Sequence, residues 1–323
     1  MPVTDTFPRL LGDVGGTNAR FGWQAHAGSA IEHVQVLPCE QHPTLEAAIR
    51  TYLSLKALPQ PTACALGIAN PVTGDQVSMT NHHWSFSIAQ MQASLGLHRL
   101  HVINDFTALA LALPSLPAAH LMQIGGAAAQ AHAPKALIGA GTGLGVSGLL
   151  PTGKPDQWLA IAGEGGHATL AAQSETEFRV IQWLQQKYGH VSAERVLCGQ
   201  GLLDLFSALR ELQHLPPLQV ASASEVTDLA LQKQDAVALA SLEMFSSFLG
   251  SVAGNLALTL GARGGVYLGG GIVPRWLGWF EHSSFRTSFQ AKGRFAAYLK
   301  DIPVWVINAP ESPALLGAAR SFN

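Results

Sequence analysis

Leu10-Leu11-Gly12-Asp13-Val14-Gly15-Gly16-Thr17-Asn18-Ala19-Arg20 decides how the rest of the chain is read. An apolar run enters it, three glycines with an acid and a threonine form its middle, and the alternating Arg20-Phe21-Gly22-Trp23 leaves it. That pattern predicts strand, tight turn, strand. Glycine has no Cβ, so backbone N–H groups there approach an anion closely, and a positive φ costs little. Thr17 and Asn18 add side-chain donors, while Asp13 at the edge suits a hydrated magnesium ion rather than a phosphate. The loop reads as a seat for a metal-bound polyphosphate; the competing reading is a glycine-rich hairpin turn with no ligand. A Walker A loop would end in Gly-Lys-Ser/Thr at a helix start, and a dinucleotide fingerprint would carry its third glycine inside a helix. Neither ending occurs here.

A second stretch follows the same plan. Ala136 to Ile138 is apolar, Gly139-Ala140-Gly141-Thr142-Gly143-Leu144-Gly145 is a glycine loop, and Val146 to Leu150 is apolar again. Two such loops, one for each half of a duplicated fold, are what holding one nucleotide between those halves requires. Between them, Leu100-His101-Val102-Ile103-Asn104-Asp105-Phe106-Thr107-Ala108 is a strand that ends in two polar residues and turns straight into a helix. Asn104 or Asp105 is suited to be that helix's N-cap. Strand ends are also where open α/β sheets place ligands, and an acid there can accept a proton from a bound hydroxyl. In Gly163-Glu164-Gly165-Gly166-His167 both long side chains could reach one pocket, or the segment is an unliganded turn. Glu194 follows Ser192, a candidate cap, and on its residues alone complements a helix dipole. Gly264 to Pro274 reads as a buried strand, a glycine turn and a helix start. A flat adenine ring could lie against that turn, and a core strand with a tight exit is the rival reading.

The 323 residues suffice for two domains and a large core. With 48% hydrophobic and 12% charged residues and a net charge of -2 without a basic cluster, disorder, nucleic acid and anionic membrane are all disfavoured. Cys39, Cys64 and Cys198 lie far apart with no Cys-x-x-Cys spacing, which points to free thiols rather than a disulfide frame or zinc site. The N-terminus lacks a signal-peptide pattern. The apolar region Phe248 to Ala262 is interrupted by Gly250, Gly254 and Asn255 and reads as a buried helix short of a membrane span. A cytoplasmic protein is expected. His82 and His83 are adjacent, so on a strand they point to opposite faces, and no third ligand lies nearby. They read as a turn or a sugar rim, with Asn81 the better polar contact. Helical periodicity runs from Pro43 to about Leu58, from Glu175 to Lys187 and through much of 199 to 260. Pro114 to Pro117 is a plausible interdomain hinge.

Taken in order, the five motifs around Gly12–Arg20, Ile103–Ala108, Gly139–Gly145, Gly163–His167 and Gly269-Gly270-Gly271-Ile272-Val273-Pro274-Arg275 resemble bacterial ATP-dependent glucokinase over nearly the whole chain. That resemblance implies the actin-like ATPase and sugar-kinase fold, an α/β architecture in which two ribonuclease-H-like domains flank a cleft. The expected boundaries are 1–115 plus 304–323 for a small domain and 116–303 for a large one. It also implies a homodimer, ATP with Mg2+ as cofactors, and conversion of D-glucose to glucose 6-phosphate. Carried over by position, Asp105 resembles the general base and Asn104 a sugar ligand, with Glu164, His167 and Glu194 as further glucose contacts. Gly12, Asp13, Val14, Gly15, Gly16 and Thr17, then Gly141, Thr142 and Gly143, then Gly270 and Gly271 resemble the nucleotide-binding segments, with Asp13 reaching magnesium through water. Ala314 stands where the family pattern leads us to expect glycine.

This agrees with the chemistry. A sugar hydroxyl ionises too weakly near neutral pH to attack unaided, so a neighbouring carboxylate that takes its proton is useful. Phosphoryl transfer otherwise depends on positioning and charge neutralisation, which backbone amides and magnesium supply. The alternatives are a kinase for another hexose, such as mannose or glucosamine, and a non-enzymatic sugar-responsive regulator. The regulator should carry an N-terminal helix-turn-helix and a cysteine-rich zinc motif. The phosphate loop begins by residue 12, and the cysteine spacing does not fit the zinc motif.

Overall fold

The computed structural model describes residues 6–80, 82–154, 156–310 and 312–322. Asn81 lies outside them. The chain forms two compact units, Met1–Ala118 with Thr152–Ala162 and Ala309–Asn323, and Ala119–Pro151 with Gly163–Asn308.

The first unit contains β1 (Arg9–Val14), β2 (Asn18–Gln24), β3 (Glu32–Pro38), α1 (Leu45–Leu55), β4 (Ala63–Ile68), β5 (Gln76–Ser78), β6 (Ser85–Ser87), α2 (Ile88–Ser94), β7 (Arg99–Asn104) and α3 (Asp105–Ala112). Its main sheet has the order β3-β2-β1-β4-β7. β1 pairs antiparallel with β2 and parallel with β4, which is parallel to β7. Successive side chains on a strand point to opposite faces, and β1 shows the consequence. Leu10 and Val14 join Phe21, Ile49, Tyr52, Leu66 and Trp84 in one core, while Leu11 packs with Ala65, Leu315 and Ala318 on the other face. α1 begins at Leu45 rather than at Pro43, capped by Thr44, whose side chain accepts from Ala47 N–H. The helix Ala314–Arg320 covers the second face and crosses α3 backbone to backbone. A Cβ on Gly317 would lie 1.5 Å from the Ala108 carbonyl oxygen. Ala314, the residue that departs from the expected glycine, is 3% exposed and simply fills core space.

In the second unit β8 (Leu121–Gln123), β9 (Lys135–Ala140) and β10 (Leu144–Pro151) combine with the strands Val266–Gly269 and Val304–Ile307. The order within the unit is β10, β9, Val266–Gly269, Val304–Ile307, β8. β9 and β10 form an antiparallel pair, and the next two strands run parallel to β9. Val304–Ile307 therefore lies in this sheet, not with the small domain to which the sequence boundaries assign it. Its partners Val266 to Leu268 and Leu121 to Gln123 are distant in sequence. The strand Trp158–Ala162 belongs to the first compact unit.

Helices α4 (Glu175–Tyr188), α5 (Ala193–Val196), α6 (Gly199–Leu212), α7 (Ala223–Leu231) and α8 (Ala236–Leu260) complete the core. α8 runs unbroken through Gly250 and Gly254. Cβ atoms there would stand 2.2 and 2.4 Å from the Phe285 and Phe289 carbonyl oxygens. The two glycines are thus seats for the helix Phe285–Gln290, not interruptions. By length and hydropathy (1.5) α8 could cross a membrane, but 61% of that apolar window is buried inside the protein, as in a core helix.

Candidate active site

The end of β7 shows how the two polar residues divide their work. Asn104 is the N-cap of α3, and its Oδ1 accepts from Phe106 N–H at 2.9 Å and Thr107 N–H at 3.2 Å. Its Nδ2 is left to donate, to Asp105 Oδ1 at 3.0 Å and to the Asn70 carbonyl at 3.5 Å. Asp105 Oδ1 also accepts from Phe106 N–H at 2.9 Å, and no described residue bonds Oδ2. Burial pushes the Asp105 carboxyl up to about 6, with a smaller upward push from the Asp13 charge, against the downward pull of these donors. A carboxylate with one oxygen fixed, one open and a proton affinity near neutrality is matched to general-base work.

Strand register explains why Asp13 is felt there. Asp13 pairs with Gly67, which pairs with Ile103. The missing side chain at Gly67, where a Cβ would approach Ala108 Cβ to 3.0 Å and Asp105 Cα to 3.6 Å, leaves room for α3 to begin. Burial raises the Asp13 carboxyl too, while Ser312 and Arg20 pull it down. Arg20 Nη1 donates to Asp13 Oδ2 at 3.3 Å.

The first glycine loop is not uniform. Gly12 and Val14 are buried in β1, and a Cβ on Gly12 would meet Leu66 Cδ2 at 2.5 Å. Gly12 therefore serves sheet packing, whereas Gly15, Gly16 and Thr17 form the accessible turn, closed by Gly15 N–H donating to the Asn18 carbonyl at 2.9 Å. Neither Gly15 nor Gly16 takes a positive φ, and neither do Gly141 and Gly143. Their smallness gives access rather than unusual dihedrals.

The second unit gathers its own set. Gly141 N–H donates to the Gly143 carbonyl at 2.8 Å, and the Gly141 carbonyl accepts from Gly199 N–H at 3.0 Å. Thr142 is exposed, and no atom stands within 4 Å of where Cβ atoms on Gly141 or Gly271 would be. Gly270 is fixed by conformation and contact, with φ +81° and a prospective Cβ 2.2 Å from the Ala140 carbonyl oxygen. The segments 141–143 and 270–271 thus adjoin, as one nucleotide would need. Glu164 is exposed, ahead of the short 3-10 turn Gly165–His167. His167 Nδ1 lies 3.8 Å from Glu194 Oε1. Glu194 does more than complement a dipole, since its Oε2 accepts from Leu144 N–H at 2.9 Å. Ser192 makes no side-chain cap bond.

Arg20, Gly67 and Leu144 contribute to these arrangements and are not among the sequence candidates. The acid–base pairing of Arg20 with Asp13 on facing strands was the one available signal. The His82 and His83 rings lie 4.2 Å apart, tilted by 36°, and among the described residues no group of three potential ligands could hold a metal ion.

A family model described as Glucokinase matches residues 10–323. The chain belongs to the glucokinase family. It is 51% identical over 321 residues to a glucokinase of Aromatoleum aromaticum, covering 99% of this chain and 96% of that one. A second relative, a glucokinase of Chromobacterium violaceum, is 52% identical over 98% of this chain and 90% of that one. Among solved structures, a glucokinase from an Antarctic psychrotroph superposes with a TM-score of 0.87 at 33% identity, covering 97% of this chain and 98% of that one. The fold is the mixed α/β, actin-like ATPase fold of glucokinases and related sugar kinases.

Proposed function

We propose that the chain is an ATP-dependent glucokinase, transferring the γ-phosphoryl group of ATP to D-glucose to give glucose 6-phosphate and ADP. Family membership supports the reaction class, and one observation carries the chemistry: Asp105 ends a strand with one oxygen open and its carboxyl at about 6. In this reading Asp105 takes the hydroxyl proton as the oxygen bonds to phosphorus. Glu164, His167 and Glu194, with Asn104 Nδ2 exchanging its long 3.5 Å bond to the Asn70 carbonyl for a sugar oxygen, supply the donors and acceptors that a polyhydroxy substrate needs. The amides of Gly16 and Thr17 and of Thr142 and Gly143 hold the phosphates, those of Gly15 and Gly141 being spent on closing their own turns, and Gly270 and Gly271 offer a flat seat for adenine.

Magnesium suits this donor set. Such an ion is held by one or two carboxylates plus waters and phosphates, and Asp13 lies close enough to Asp105 for its charge to be felt there. Bound there, the ion would neutralise developing phosphate charge. Burial raises the Asp13 carboxyl, Ser312 and Arg20 oppose that rise, and a cation bound beside it would favour the ionised form. A homodimer in the cytoplasm accompanies this reading through the family resemblance, and sedimentation equilibrium tests the dimer.

The test is a coupled ADP-release assay with ATP, magnesium and a panel of glucose, mannose, fructose, glucosamine and N-acetylglucosamine. Turnover on glucose well above the rest is expected. A clear preference for mannose or glucosamine would transfer the activity to that hexose, and no turnover on any sugar would remove the kinase reading.

A further inference from the structure

Leu144 ends the second glycine loop and begins β10, and its two backbone groups face two different segments. Its N–H donates to Glu194 Oε2 at 2.9 Å. A Cβ on Gly166 would stand only 2.1 Å from its carbonyl oxygen, so the turn Gly165–His167 lies directly against that carbonyl. Although Leu144 pairs in register with Ala140, the Ala140 carbonyl accepts from Ile272 N–H at 3.3 Å, and the Leu144 N–H is given to the glutamate. The other oxygen of that carboxylate, Oε1, is 3.8 Å from His167 Nδ1. The support behind Glu194 is stiff. A Cβ on Gly201 would lie 2.2 Å from the Val196 carbonyl oxygen, so α5 and α6 meet without slack. Gly199 N–H at the start of α6 holds the other end of the same loop through the Gly141 carbonyl at 3.0 Å.

We propose that Glu194 couples sugar occupancy to the geometry of the second glycine loop. One oxygen holds the loop through Leu144 N–H, and the other receives a sugar hydroxyl beside His167. The inference rests on the glucokinase reading and deepens it. A carboxylate is planar and rigid, so a hydroxyl bonded to Oε1 fixes the rotation of the whole group and with it the bond from Oε2 to Leu144. Hydrogen bonds in such a chain strengthen one another. The sugar thereby orders the loop whose amides meet the phosphates, and linkage makes the effect reciprocal: each ligand tightens the other by the same factor.

Calorimetry of the full chain with AMPPNP and magnesium, without and with saturating glucose, tests this. The wild-type ratio of the two dissociation constants should fall in the range of about 5- to 150-fold typical of coupled sites. Two variants attack opposite ends of the bond. Glu194→Ala removes the accepting carboxylate, and Leu144→Pro removes the N–H while leaving the carboxylate, at a strand's first residue where proline is tolerated. In both the ratio should drop below about twofold with AMPPNP binding alone retained. Should either variant misfold or lose glucose, wild-type hydrogen exchange at the Leu144 amide decides, and at least tenfold slowing by glucose is expected. A wild-type ratio of one, an undiminished ratio in the variants, or exchange indifferent to glucose overturns the proposal. Failure of the wild type to bind glucose or AMPPNP at all would instead overturn the glucokinase reading itself.

Discussion

Asp105→Asn should remove activity and stabilise the fold together. Asparagine keeps the side chain's size and an Oδ1 that can accept from Phe106 N–H and Asn104 Nδ2. What it removes is a charge that the site holds at an energetic disadvantage, since burial and Asp13 raise the carboxyl from 3.8 to about 6. At about 1.4 kcal/mol per pH unit, this gap corresponds to ~3 kcal/mol. Solvent around the half-buried side chain screens part of it, leaving roughly 1–2 kcal/mol. The sign follows from proton counts. Between pH 3.8 and about 6 the folded chain binds more protons at this position than the unfolded chain, so stability contributed here falls as pH rises through that window and is level above it. Urea unfolding at pH 7.5 should therefore show the variant more stable than wild type by roughly 1–2 kcal/mol, the difference vanishing near pH 4 or below. Turnover should fall by about two to four orders of magnitude with glucose binding nearly intact. A variant less stable than wild type at pH 7.5, or one with wild-type turnover, would refute the reasoning.

The same carboxyl predicts the acid limb of activity. Protonated Asp105 cannot take the hydroxyl proton, so kcat/KM should fall about tenfold per pH unit below about 6, and a profile flat down to pH 5 would count against it as base. Gly143→Ala would place a Cβ 2.6 Å from Glu194 Oε2; the carboxylate must swing aside, and calorimetry should show glucose affinity weakened roughly tenfold with stability changed by less than about 1 kcal/mol. Gly317→Ala should lower stability by at least about 2–3 kcal/mol in urea titrations, because its Cβ would fall 1.5 Å from backbone that cannot yield without parting α3 from the last helix.

Much of this architecture is legible locally. The strands flanking both glycine loops announce themselves because apolar runs stop abruptly at small residues. The N-cap and general-base readings of Asn104 and Asp105, which compete in sequence, turn out to be compatible: the cap bonds fall to Asn104, and Asp105 keeps an oxygen free. Glu194 was opaque for a physical reason. Its partner is a backbone N–H 50 positions away, and a backbone donor leaves no trace in residue identity. Gly250 and Gly254 mislead in the same way, since a glycine that weakens a helix and a glycine that admits a neighbouring helix look alike until the neighbour is placed. The three-residue β8 and the late strand Val304–Ile307 are set by tertiary pairing, which local periodicity does not report.

Carbon NMR of glucose labelled at C6, incubated with the wild-type chain, ATP and magnesium, tests the central claim most directly. The account predicts phosphorus coupling at the C6 resonance, growing in equal amount with ADP and absent when Asp105→Asn replaces the wild type for the same time. ADP and free phosphate accumulating while C6 stays unmodified would contradict it, because the loops would then bind nucleotide for a purpose other than phosphorylating this sugar.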